Sequence, residues 1–210
     1  MSEPYSAMAQ FQISRSSLRS YLAAPARPTS YWSDWPAMCG RKDATGQQNG
    51  LPFSLHREMD FDSVDRWLSE GDYRSHLRVI LGVAELPSLA RFNYDEETGL
   101  ATVVNLTVGA ECFRNPLWFL ATVRGAAGYM DGTGGLAVIR QHIWGGPDSK
   151  YTMAVLRLEQ GGTRFLHSAG DADAYSDAVR RANTVFTGIG LGPDGLALGD
   201  TEAVANLDRV

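Results

Sequence analysis

Three residues in the second half of the chain could do chemistry together: Arg140, His142 and His167. An imidazole titrates near neutral pH and can give or take a proton. A guanidinium fork orients a carboxylate or phosphate. Whether the three converge depends on the strands that carry them. Leu136 to Ser168 reads as a three-stranded meander, with strands at 136–144, 151–159 and 163–168 and Gly161-Gly162 as a two-residue turn. That turn pairs Leu158 with Phe165, Leu156 with His167 and Glu159 with Arg164. One face is then apolar and the other charged. The loop Gly145-Gly146-Pro147-Asp148-Ser149 continues the pairing and sets Leu136 against Leu158, Val138 against Leu156 and His142 against Thr152. Arg140 and His142 then share the apolar face with His167. The two histidines stand about 13 Å apart along the sheet, with Arg140 between them. Such a face would floor a pocket for an anionic or carbonyl-bearing ligand. The plainer reading is a sheet end open to water, or one whose charges are met by helix carboxylates. A one-residue slip would send the whole strand's side chains to the other face.

Tyr31, Trp32 and Trp35 form an aromatic cluster without regular period. Tryptophan and tyrosine are over-used as interface anchors. Large aromatics are also mostly buried, so the cluster either forms a protein-binding edge or folds back to complete the core.

Other chemistries find little support. His56, His76, His142 and His167 are dispersed, with no His-x-His or His-Glu-x-x-His, and no metal site is expected. Cys39 and Cys112 are too few for a disulfide framework and read as reduced thiols. Cys112 lies just before a helix start, which favours a thiolate, but it has no evident histidine partner and reads as a plain core or loop cysteine. Gly-x-Ser-x-Gly is absent. Gly132-Thr133-Gly134-Gly135 follows a helix and precedes a strand, the reverse of a phosphate-binding loop. Asp171, Asp173 and Asp177 suit a helix start, and Asp95-Glu96-Glu97 a solvated turn.

The elements that would position these residues can be read along the chain. Residues 1–10 look like a frayed tail. Ser14 to Ala24 suggests a short helix with Leu18, Tyr21 and Leu22 on one side, stopped by Pro25 and Pro28. Residues 37–50 read as a loop. Phe53, Leu55, Met59 and Phe61 alternate as in a half-buried strand. Asp62 would cap a helix facing inward through Val64, Trp67 and Leu68. Leu77 to Val83 reads as a strand on its β-branched content. Ala90–Tyr94 and Leu100–Val108 flank a five-residue turn ending in Gly99, a β-hairpin. Asn115-Pro116 opens a helix carrying Leu117, Leu120, Val123, Ala127 and Met130 on one face. Asp171 caps another to Phe186. Gly188 to Gly199 is a loop, and Thr201 to Asp208 a short helix.

The chain has 210 residues, 44% hydrophobic and 20% charged, with a net charge of −5. This usage excludes a disordered chain or a coiled coil. No apolar run is long enough for a membrane helix. The acidic balance opposes sequence-blind nucleic-acid binding. Met1 to Gln10 lacks the basic and apolar regions of a secretory signal, so a cytoplasmic location is expected. Residues 1–50 carry five basic and three acidic side chains, which leaves the remainder at −7.

The expected fold is α+β: a single domain with an antiparallel sheet, made of the hairpin and the three-stranded meander, and helices packed on one face. Residues 1–50 form an irregular N-terminal segment and 51–210 the body. The first functional expectation is a non-enzymatic, acidic, bacterial-type protein-binding domain, immunity-protein-like or secretion-chaperone-like. It would capture one specific partner through Tyr31, Trp32 and Trp35, and a basic partner would suit its charge. The alternative is a cofactor-independent enzyme or small-molecule binder of cone- or barrel-like form. In it His142 or His167 is the acid or base, and Arg140 orients an anion. Assembly through an unpaired sheet edge is a third reading. No cofactor is expected.

Overall fold

The computed structural model describes residues 5–38, 59–82, 89–108, 114–132, 134–141, 152–188 and 203–210. Among these residues six strands form one open antiparallel sheet: β1 (Tyr5–Gln12), β2 (Ala90–Asp95), β3 (Leu100–Asn105), β4 (Gly135–Gln141), β5 (Thr152–Glu159) and β6 (Gly162–Phe165). Their order is β2-β3-β1-β4-β5-β6. Six helices accompany them: α1 (Arg15–Leu22), α2 (Phe61–Leu68), α3 (Tyr73–Gly82), α4 (Arg114–Arg124), α5 (Ala172–Gly188) and α6 (Ala203–Arg209). Short 3-10 turns occupy Thr29–Tyr31, Trp35–Met38 and Gly125–Gly128. None of the described helices is long and apolar enough to cross a membrane.

The arrangement is the expected α+β single domain, but its centre is not where the sequence suggested. The start of the chain is no tail. β1 pairs with β3 on one side and β4 on the other, and Ala7, Met8, Ala9 and Phe11 are fully buried. A strand covered on both faces loses its polar alternation, which is the signal that marks a half-exposed strand. The strand expected at Leu77 to Val83 also differs: Leu77 to Gly82 belong to helix α3, and Val83 lies outside the described residues. The inward set Tyr73, His76, Leu77, Ile80 and Leu81 has helical spacing that begins before the apolar run. Asp72 starts this helix by accepting from the Ser75 N–H at 2.8 Å. Asp60, not Asp62, caps α2, accepting from Ser63 at 3.0 Å. The strand expected at Phe53–Phe61 falls largely outside the described residues, and Phe61 itself opens α2.

The hairpin matches its reading. β2 and β3 pair from Ala90–Asn105 to Asp95–Leu100, and Gly99 holds the left-handed position at φ 64°. The meander is present, with two changes of register. Between β5 and β6, Leu156 faces Phe165 and Leu158 faces Thr163. That is two residues from the expected pairing, so the faces are kept. The turn becomes Gln160-Gly161, with Gly161 at φ 79°. Between β4 and β5, Ala137 faces Leu156 and Val138 faces Val155, a slip of one, and a bulge follows at Ile139/Arg140. This slip turns Leu136, Val138 and Arg140 to the opposite face. Both alternating sets of β4 are apolar, so hydrophobicity could not choose between the registers.

Each face has its own core. Ala7, Phe11, Phe92, Ile139 and Leu156 pack under α1, α2, α3, α4 and α6. Met8, Leu136, Val138, Val155 and Leu166 pack under α5 through Tyr175, Val179, Ala182 and Phe186. Among the described helices, five therefore share one face and α5 covers the other.

Candidate functional site

After α1 the chain crosses the end of α4 and makes its two 3-10 turns. Trp35 is the root of an aromatic series in this segment. It is buried, its Nε1 donates to the Thr29 carbonyl at 2.8 Å, and its ring lies 6.0 Å from Phe165 and 5.9 Å from Phe61. Thr29 in turn donates its N–H to Asp65 on α2.

Beside Trp35 sits Arg124, the last residue of α4 and the largest fully buried side chain. Its Nη2 donates to Asp34 at 2.5 Å and its Nε to the Thr163 hydroxyl at 2.9 Å. Three rings surround the guanidinium: Trp35 at 4.6 Å, Trp32 at 4.9 Å and Phe165 at 5.3 Å. Burial lowers the Arg124 pKa from its ordinary value, while the Asp34 hydrogen bond and charge oppose the shift. Aromatic faces supply further compensation for the buried cation.

From this root the aromatics step outward. Trp32 stands edge-on to Trp35 at 6.1 Å. Tyr31 stands edge-on to Trp32 at 5.3 Å. The Arg27 guanidinium covers the Tyr31 ring at 4.1 Å. Tyr31 is nonetheless 58% exposed. The structure thus divides the sequence cluster by depth: Trp35 is core, Trp32 is half-buried and Tyr31 is open to solvent.

Arg124, Asp34 and Arg27 were not singled out by sequence. Arg124 had a signal: it continues the apolar stripe Leu117, Leu120 at the next helical step. An arginine on a core stripe needs partners, and here the aromatic segment provides them.

Of the three expected pocket residues, Arg140 and His167 are among the described residues. Arg140 follows β4 to the α5 face, where its guanidinium donates to Asn183. His167 stands just past β6, beside a cavity of about 330 Å³ at the start of β5. Met38, Met153, Phe165, Ser168 and Tyr175 also line this cavity. Among its described lining residues there is no arginine, lysine, aspartate or glutamate. Tyr175 stands between the two environments: it borders the cavity and feels the Arg140 charge. Burial raises the pKa of its hydroxyl. His142 and both cysteines lie outside the described residues. The open sheet, with β2 and β6 at its edges, also corrects the barrel-like form imagined for an enzyme. Among the described residues no three metal-ligating side chains converge.

Comparison with protein-family models, with curated proteins and with solved structures found no match.

Proposed function

We propose that the protein is a non-enzymatic binding domain that captures a specific protein partner through Tyr31, flanked by Arg27 and Trp32. One observation carries this reading: Tyr31 is held open to solvent at the end of a packed series of rings. A lone exposed aromatic needs no explanation. This one is fixed by Trp32 beneath it and Arg27 across it. Tyrosine, tryptophan and arginine dominate binding hot spots, and a ring already fixed loses little entropy on binding. The net charge of −5 would speed encounter with a cationic partner and make it salt-sensitive. An immunity-protein-like or secretion-chaperone-like role fits such a domain.

The test is quantitative capture of one partner. That partner, isolated with the intact protein, should bind Tyr31→Ala roughly 30-fold more weakly, as expected of a hot spot, with thermal stability unchanged. Equal affinity of the two proteins would overturn the reading.

The cavity beside His167 supports a second reading, a small-molecule site, because its volume falls in the range of ligand pockets. His167 would then be the proton-transferring group. Titration of small neutral and anionic compounds followed by the His167 ring NMR signals tests it: a saturable shift supports the site, and none up to millimolar concentration removes it.

A further inference from the structure

A second surface is built around the last helix. α6 has seven residues, fewer than an isolated helix needs to persist in water. It is held by two inward side chains four residues apart, Ala203 and Leu207, both in the core. Asn206 adds a bond from its Nδ2 to the Phe92 carbonyl of β2 at 3.4 Å.

Its C-terminal end is treated differently. The last carbonyls of a helix have no partner within it, and they form the negative pole of its dipole. Four arginines meet that pole. On α1, Arg19 Nε donates to the Val210 carbonyl at 2.5 Å and Arg15 Nη2 to the Arg209 carbonyl at 3.3 Å. On α3, Arg74 Nη1 donates to the Leu207 carbonyl at 2.6 Å and Arg78 pairs with Asp208 at 2.5 Å. Each pair is spaced four residues apart on its own helix, an arrangement that repels when nothing negative faces it, and Arg15 has a second partner in the Glu96 carboxylate of the β2–β3 turn. The two helices therefore form a cationic cradle complementary to a helix C-terminus. The Arg78–Asp208 pair is solvent-exposed, at 53% and 40%, and pairs of that kind hold weakly.

We propose that the face formed by α1, α3 and β2 is a docking site for the C-terminal end of a short amphipathic helix. α6 is its occupant within the chain, and a partner helix of the same chemistry exchanges with it. That chemistry is a small or aliphatic anchor pair four residues apart, followed by a carboxylate and unpaired backbone carbonyls. This proposal is independent of the Tyr31 surface.

The probe is a fluorescent, C-terminally amidated peptide with the sequence of residues 201–210, titrated against the full chain. Leu207→Asp in the protein ejects α6 from its groove. This variant should bind the peptide at least tenfold more tightly than the unaltered chain. Adding Arg74→Ala should reverse that gain, and so should raised salt. A peptide carrying Leu207→Asp should not bind. A folded Leu207→Asp protein that ignores the peptide up to millimolar concentration overturns the proposal. So does a Leu207→Asp protein that loses cooperative unfolding, since α6 would then be an inseparable part of the core. Amide exchange on the unaltered chain gives an independent readout. Residues 203–209 should open at least 100-fold more often than the centre of β1, and equal protection of the two would also overturn the proposal.

Discussion

Arg124 is a buried cation, and its surroundings decide what happens when a partner is removed. Asp34 is the carboxylate beside it, and among the described residues the Arg124 Nη1 makes no hydrogen bond. Asp34→Ala leaves a guanidinium out of water with Thr163 and three rings for company. Breaking a buried pair from one side costs about 3–5 kcal/mol, and the part-exposed Asp34 (32%) places this case toward the lower end. Arg124→Met added to Asp34→Ala removes the stranded charge. The double variant should therefore be more stable than Asp34→Ala alone in urea unfolding. If it is less stable, desolvation is not what governs this pair. His76 poses the opposite problem. It is buried between α2 and α4, with its Nε2 3.3 Å from the Leu68 carbonyl and its ring edge-on to Trp118 at 5.8 Å. Burial lowers its pKa, and the opposing pull of the Leu68 carbonyl, Asp72 and Glu70 does not reverse this. The folded protein thus holds a neutral imidazole where the unfolded chain would take up a proton. The His76 contribution to stability therefore falls as pH drops below the unfolded value of about 6.5 and is nearly constant above it. His76→Leu should abolish that slope between pH 6.5 and 5, measured as urea midpoint against pH.

At the scale of elements, the junction after α4 is the tightest fit among them. Gly125 continues α4 into a 3-10 turn, and a Cβ placed there would lie 2.2 Å from the Tyr73 ring of α3. The ring has little room to retreat. It is buried, it stacks on Tyr21 at 4.7 Å, and its hydroxyl accepts the Arg27 N–H at 3.0 Å. Gly125→Ala should cost about 1–3 kcal/mol by overpacking, whereas Gly162→Ala, with open space around it, should cost far less. A thermal melt of each variant compares them directly. Local chemistry of this kind explains what was readable in the sequence. The hairpin was legible because its turn glycine and alternation are short-range signals, and α1 because Leu18, Tyr21 and Leu22 mark one face. α3 was misread because the apolar run from Leu77 hides the helical period that begins at Tyr73. Which face carries Arg140 depends on a longer-range choice. The β4–β5 register decides it, and Leu136/Val138 against Ala137/Ile139 gave no hydrophobic preference between two registers. Tyr31 was legible as a candidate, but the buried arginine that helps fix its neighbours belongs to a helix 90 residues from Asp34. No local pattern encodes that pairing.

At the scale of the whole molecule, β1 is the strand that makes one sheet out of two. On one side lies the β2–β3 hairpin, and on the other the β4–β5–β6 meander. Each of those units closes over short stretches of chain. β1 does not: Met8 faces Val104 on one side and Val138 on the other. Closing such loops costs entropy before any contact repays it, and topologies rich in distant contacts fold slowly. The local units should therefore form first and β1 should insert late. This order predicts how substitutions divide between the two rates. Met8→Ala should destabilise by about 2–5 kcal/mol, the usual range for a buried methionine. Nearly all of that should appear as faster unfolding, with folding little changed. Val103→Ala, in the hairpin but facing Phe92 as well as Ala9, should instead slow folding measurably. Stopped-flow chevrons for the two variants decide the matter. Slower folding in Met8→Ala, with unfolding unaffected, would place β1 in the nucleus and reverse the argument. Because the strand that joins both halves comes at the start of the chain, a polypeptide ending before Gly135 has β1 and the hairpin but no strand for the other edge of β1. Such a fragment should show no cooperative thermal transition by circular dichroism, and a sharp transition would show that the hairpin side of the sheet is sufficient to hold β1 alone.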